Sequence, residues 1–108
     1  MAERVVITLA LADIDPATRS AFLTAHKESP EVWKYFEKFA LEAIASGREH
    51  YGAKGIMERV RWHTEIEHGV DFKVNNNYTA YFARIFAAKY PEHGDFFEFR
   101  EIRGLRAA

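Results

Sequence analysis

Apolar side chains along this chain recur with two periods, and the places where the period changes divide it into elements. Val5, Ile7, Leu9 and Leu11 fall on one side at period two, with Arg4, Thr8 and Ala10 opposite, which predicts a first strand. Asp15-Pro16 then supplies an N-cap and a first-turn proline for a short helix over about 16–27, with Phe22 and Leu23 inward. Ser29-Pro30-Glu31 repeats the start signal. Behind it Val32, Phe36, Phe39, Ala40, Ala43 and Ile44 recur at steps of three and four, one stripe of an amphipathic helix. Gly47 closes that helix as a left-handed residue after its last turn.

Tyr51-Gly52 marks a turn, and a third helix follows over about 53–67 with Ile56, Val60 and either His63 or Thr64 inward. Gly55 inside it costs about 1 kcal/mol relative to alanine, which predicts a close helix–helix approach at that point. After Gly69, Val70, Phe72 and Val74 alternate with Asp71, Lys73 and Asn75, the pattern of a short half-buried strand. Asn75, Asn76 and Asn77 open a fourth helix whose stripe is Tyr78, Tyr81, Phe82, Ile85, Phe86 and Tyr90, stopped by Pro91 and Gly94. Phe97 and Phe99 alternate with Glu98 and Arg100, a strand able to pair with 70–75.

The expected fold is therefore a mostly α member of the α+β class. It is a single domain over 1–108, a bundle of about four helices with a short two-stranded β-ribbon, loosely winged-helix-like in its helix–strand–helix–strand order. Residues 1–29 form an N-terminal segment of weaker pattern and 104–108 a frayed tail.

Composition adds three constraints. Nine Phe, five Tyr and two Trp furnish most of a core, each ring able to bury roughly 150–250 Å². No cysteine is present, which removes disulfides and cysteine-based zinc or redox chemistry and fits a reducing, cytoplasmic setting. Charge is balanced along the chain. Residues 1–30 carry three positives and four negatives, 31–67 six and seven, and 68–108 six and five. A strongly cationic nucleic-acid binder would be lopsided in one segment, so any such affinity must come from a local patch. The apolar run at 5–11 is too short to span a bilayer and is followed by no cleavage-site pattern, so no membrane is expected.

The block Arg61-Trp62-His63-Thr64, followed by Lys73-Val74-Asn75-Asn76-Asn77 and Tyr81-Phe82-Ala83-Arg84-x-Phe86, resembles uncharacterised small proteins encoded in bacterial prophages and phage genomes. The resemblance covers about residues 30–103. It implies a mobile-element accessory protein and brings no assigned activity.

The chemistry-bearing residues allow several readings. One asparagine, Asn77 by position, is enough to cap the fourth helix, leaving two amides able to tolerate a tight turn, bond a partner's backbone or read a base edge. Lys54, Arg59, Arg61, Lys73 and Arg84 could gather into a basic patch, but Arg59 and Arg61 lie about 200° apart around a helix, and Glu58, Glu65 and Glu67 sit among them. His63 and Glu67 share one helical face at i,i+4, while His68, at or past the helix end, need not share it. No HExxH, GxSxG or glycine-rich phosphate loop occurs, so no cofactor, metal or catalytic residue is expected. Glu65 with His63 or Tyr51 offers a proton-transfer site, the basis of an enzyme reading.

Three functional expectations follow. The first is nucleic-acid contact through Lys73, Asn75, Asn76 and Arg84, near the start of the fourth helix. The second is a protein–protein module, a homodimer or a host-factor binder, using Trp33, Tyr35 and Trp62, aromatics off the cleanest stripes and of a type enriched at interfaces. The third is a hydrolase around His63, Glu65 and Glu67.

Overall fold

The structure, a computed structural model, describes residues 3–71 and 78–97. They form five helices: α1 (Glu3–Ala10), α2 (Pro16–Glu28), α3 (Pro30–Ala45), α4 (Ala53–Trp62) and α5 (Tyr78–Lys89). A π-helical turn, His63–Glu67, continues α4, and a 3₁₀ turn, Pro91–His93, follows α5. No strand occurs among the described residues. Of the expected ribbon, residues 70, 71 and 97 are seen and are not strand. Residues 72–75 and 98–100 lie outside the described residues, as does the tail at 104–108.

The expected first strand is a helix. Ile7, Leu11 and Ile14 are buried while Leu9 is 66% exposed, so the spacing that burial selects is i, i+4, i+7, not i, i+2. The carbonyl of Ile7 accepts from the Leu11 N–H at 3.1 Å, and that of Leu11 from the Ile14 N–H at 3.0 Å. Arg19 of α2 covers the end of α1, its Nη1 lying 3.4 Å from the carbonyl oxygens of both Leu11 and Ala12. Such a cation satisfies carbonyls that a helix terminus leaves bare.

The proline-led starts behave as expected. Asp15 caps α2 by accepting the Thr18 N–H at Oδ2, 3.0 Å away. Gly47, at φ +100°, closes α3. Its N–H reaches the Ile44 carbonyl at 3.0 Å and the Arg48 N–H reaches that of Ala43 at 3.3 Å, the paired bonds of a left-handed C-terminal cap. Gly55 does not mark a helix–helix approach. A Cβ placed there would meet the Tyr51 ring at 2.8 Å, a contact within one turn.

α5 is the central helix. α1, α3 and α4 all pack against it, and Tyr81, Phe82, Ala83, Ile85 and Phe86 are buried, as expected of a helix apolar on more than one side. One core cluster runs from Ile7 to Phe97. Its centre is aromatic. Phe82 lies 5.3 Å from Phe22, 6.0 Å from Trp33 and 5.6 Å from Phe36, centroid to centroid. Trp33, expected at the surface, is only 1% exposed. With Phe36 and Ala40 it makes an i, i+3, i+7 row, so the buried face of α3 is wider than one stripe. Phe96 and Phe97, placed by a bend after the 3₁₀ turn, close the cluster against Phe36 and Phe86. Two bonds fasten this segment to the α3–α4 loop: Tyr51 N–H to the Phe96 carbonyl at 3.1 Å, and His50 Nδ1 to the Asp95 carbonyl at 3.0 Å.

Trp33→Ala is expected to destabilise the fold by about 3–5 kcal/mol, the range for deleting a large buried ring, read by urea unfolding. The Thr18 hydrogen bonds hold the Asp15 carboxyl below its ordinary value of 3.8, so its contribution is present above that value and fades as pH falls through the lower folded-state value. Asp15→Ala should therefore lower the melting temperature at pH 7, and the difference from the parent should narrow in acid below the ordinary value.

Candidate functional site

The feature of this molecule that ordinary helix rules do not explain is the π-helical turn at 63–67. π turns are rare and recur at functional sites. Here the widened turn is closed at its end by the Gly69 N–H on the Glu65 carbonyl, 3.1 Å, and by the Val70 N–H on the Thr64 carbonyl, 3.0 Å. Gly69 sits at φ +67°, a left-handed conformation open to glycine at little cost.

The change of winding brings together side chains that an α-helix would separate. At 3.6 residues per turn, positions five apart lie about 140° apart around the axis, whereas i→i+5 pairing stacks them. His63 and His68 consequently meet, Nε2 to Nε2 at 3.1 Å with ring centroids 4.4 Å apart. This corrects the expectation that His68 need not share the face of His63. The i,i+4 pair forms as well, with His63 Nδ1 2.7 Å from Glu67 Oε2.

The cluster stands on α3. The His63 ring meets Tyr35 edge-on at 4.4 Å and Phe39 at 5.4 Å, leaving its side chain 14% exposed. Its packing partners are thus Tyr35 and Phe39. Trp62 points away. Arg59 lies over the Phe39 ring at 4.3 Å and pairs with Glu67 Oε1 at 3.4 Å. The hydrogen bond from His63 holds the Glu67 carboxyl below the usual carboxylate range; burial opposes it and the positive charge of Arg59 adds to it. An ionised carboxylate only accepts, so Nδ1 of His63 carries the proton and its Nε2 presents a lone pair toward His68. The result is a carboxylate–imidazole–imidazole chain at the surface.

The remaining candidates are scattered. Glu65 pairs with Arg61 at 3.5 Å, so the histidine's carboxylate is Glu67, and Tyr51 lies at the start of α4, not at this cluster. Arg61 also approaches Glu58 at 3.7 Å. It lines an open groove with Lys54, Met57, Glu58 and Thr79, between α4 and the first turn of α5, while Arg59 serves the histidine face. The two arginines thus face different surfaces, as their spacing requires. Arg84 is half-buried on α5. Lys73, Asn75 and Asn76, with the Asn77 cap, lie outside the described residues.

Of the three aromatics expected at an interface, Trp33 is buried, Tyr35 is half-buried beneath His63, and Trp62 stands 57% exposed. Ile66 at 63% and Val70 at 57% join Trp62 in solvent. Three of the six exposed large apolar side chains among the described residues thus fall within 62–70. The spacing 62, 66, 70 was visible in the sequence and could have found them.

Among the described residues no group of three or more His, Asp or Glu side chains converges on a metal position, and no helix is long and apolar enough to cross a membrane. Compared with family models, curated proteins and solved structures, the chain has no match.

Neutral His63 is expected in the Nδ1–H form, readable from long-range ¹H–¹⁵N couplings at a pH where the ring is uncharged. Glu67→Ala should return the ring to a mixture of the two forms, since the bond that selects one of them is gone.

Proposed function

We propose that this protein works as a binding module whose contact surface is the outer side of residues 62–70, docking there on a second copy of itself. The observation that carries the reading is the exposure of Trp62, Ile66 and Val70 within one nine-residue stretch. Exposed apolar side chains gathered with a Trp among them, rimmed by charge, mark contact surfaces more than scattered ones do.

The rim favours a second copy as occupant. Arg59 and Glu67, on the histidine face of the same segment, carry opposite signs, so two copies related by a two-fold axis can place arginine against glutamate. The formal net charge of −1 sets up little long-range repulsion between copies. A small self-associating binder is compatible with the phage or prophage setting that the resemblance of the 61–86 block implies.

A second reading, nucleic-acid contact, rests on a different observation. Lys54 and Arg61 open with Thr79 onto the groove at the start of α5, next in sequence to the asparagine block. The acidic Glu58 in the same groove weakens the field that a phosphate backbone would meet.

Sedimentation equilibrium over a range of concentrations should show a monomer–dimer equilibrium. Trp62→Glu should abolish it while leaving unfolding stability within about 0.5 kcal/mol, as for most surface substitutions. A strict monomer at millimolar concentration overturns the self-docking reading. Fluorescence anisotropy with single- and double-stranded oligonucleotides at two salt concentrations addresses the other. Binding that falls steeply with salt and is lost in Lys54→Glu would move the assignment to nucleic acid.

A further inference from the structure

We propose that the π turn is a two-histidine site for a borderline divalent cation of the Zn²⁺, Ni²⁺ or Cu²⁺ class, held by His63 Nε2 and His68 Nε2, with Glu67 orienting His63 and water completing the shell. The inference stands apart from the docking reading, since both donors and the orienting carboxylate belong to one chain.

Four observations carry it. First, the two Nε2 atoms are the near ends of their rings, 3.1 Å apart while the centroids are 4.4 Å apart, so both imidazoles direct a nitrogen toward the same volume. Second, that spacing suits a shared ion. Two nitrogens 3.1 Å apart, each about 2.05 Å from a zinc, subtend about 98° at the metal, between octahedral and tetrahedral angles. Third, His63 is held in the ligating form. Its Nδ1–H donates to Glu67 Oε2 at 2.7 Å, the carboxylate–histidine arrangement that fixes the ring and raises the basicity of the other nitrogen in metal sites. Fourth, the His63 ring is braced by Tyr35 and Phe39, so little side-chain freedom remains to be lost on binding.

Tautomer chemistry completes the argument. Without metal, His68 Nε2–H donates to the lone pair of His63 Nε2. On binding, the His68 proton moves from Nε2 to Nδ1, so each ring offers one lone pair, no proton is released overall, and the cation's own charge is the only charge added. Glu67 Oε2 is engaged by His63 and Oε1 by Arg59, which makes the carboxylate an orienting group and not a third ligand. His68 and Glu67 are exposed, so water reaches the open positions. Imidazole nitrogen selects zinc, nickel or copper over the oxygen-seeking Mg²⁺ and Ca²⁺.

The test is calorimetric titration of chelator-stripped protein with Zn²⁺, repeated on His63→Ala, His68→Ala, Glu67→Ala and the docking variant Trp62→Glu, with histidine ring signals followed by NMR. The expected result is one Zn²⁺ per chain, shifts at His63 and His68, and no competition from Mg²⁺. Affinity should fall about tenfold or more in each histidine variant and about 10–100-fold in Glu67→Ala, while Trp62→Glu binds as the parent does. His68 is exposed, so its variant keeps the fold, which circular dichroism verifies. Unchanged affinity in folded His68→Ala, shifts confined to His26, His50 or His93, or no heat at millimolar Zn²⁺ would each overturn the proposal.

Discussion

The packing of Phe82 against Phe22, Trp33 and Phe36 is the interaction on which the other elements depend. It joins α2, α3 and α5 in one set of rings, and α1 and α4 then close on the same central helix. Offset and edge-on rings add a geometric preference to the area they bury, so the cluster fixes how these helices face each other as well as that they touch. Polar fastenings lie at its margins. Glu37 of α3 accepts the Tyr90 hydroxyl at 2.7 Å and pairs with Lys89 at 2.5 Å, holding the end of α5 to the outer side of α3.

Because α3 is pinned by its buried face, its other edge is a fixed platform. Tyr35 and Phe39 stack on each other along that edge and carry His63, while Arg59 lies across Phe39. The π turn lengthens the helical path above this platform. The local winding it gives up places two imidazoles and a carboxylate in contact at a surface where three hydrophobic residues also meet solvent. The rule broken by the backbone and the residues that no core requires coincide in one short segment, which is where departures from local consistency are expected to carry function.

Much of this was legible in the chain. The proline-led starts of α2 and α3, the glycine end of α3, the start of α4 and the span of α5 all follow from local chemistry that the packing had no reason to override. α1 was misread because 5, 7, 9, 11 satisfies period two while 7, 11, 14 satisfies the helical period. Only the choice of neighbour decides between them, and α5 accepts the second set. Trp33 was placed outside because a single stripe was drawn down α3, although a helix meeting both α2 and α5 buries a wider arc. The meeting of His63 with His68 could not be read at all, since spacing rules assume 3.6 residues per turn and a π turn leaves no composition mark. The asparagine block, the sharpest local pattern in the sequence, falls outside the described residues, so the surface first expected of it is not on view.

The latch between the α3–α4 loop and residues 95–96 has a consequence for how the chain is made. Among the described residues, Phe96 and Phe97 are the last rings in sequence of a cluster whose first ring is Phe22, some seventy-five positions earlier. During synthesis the aromatic side of α3 is therefore fully covered only after residues 96 and 97 have been made. Until then the rings of Phe36 and Phe86 lack the cover that one Phe-Phe dipeptide brings.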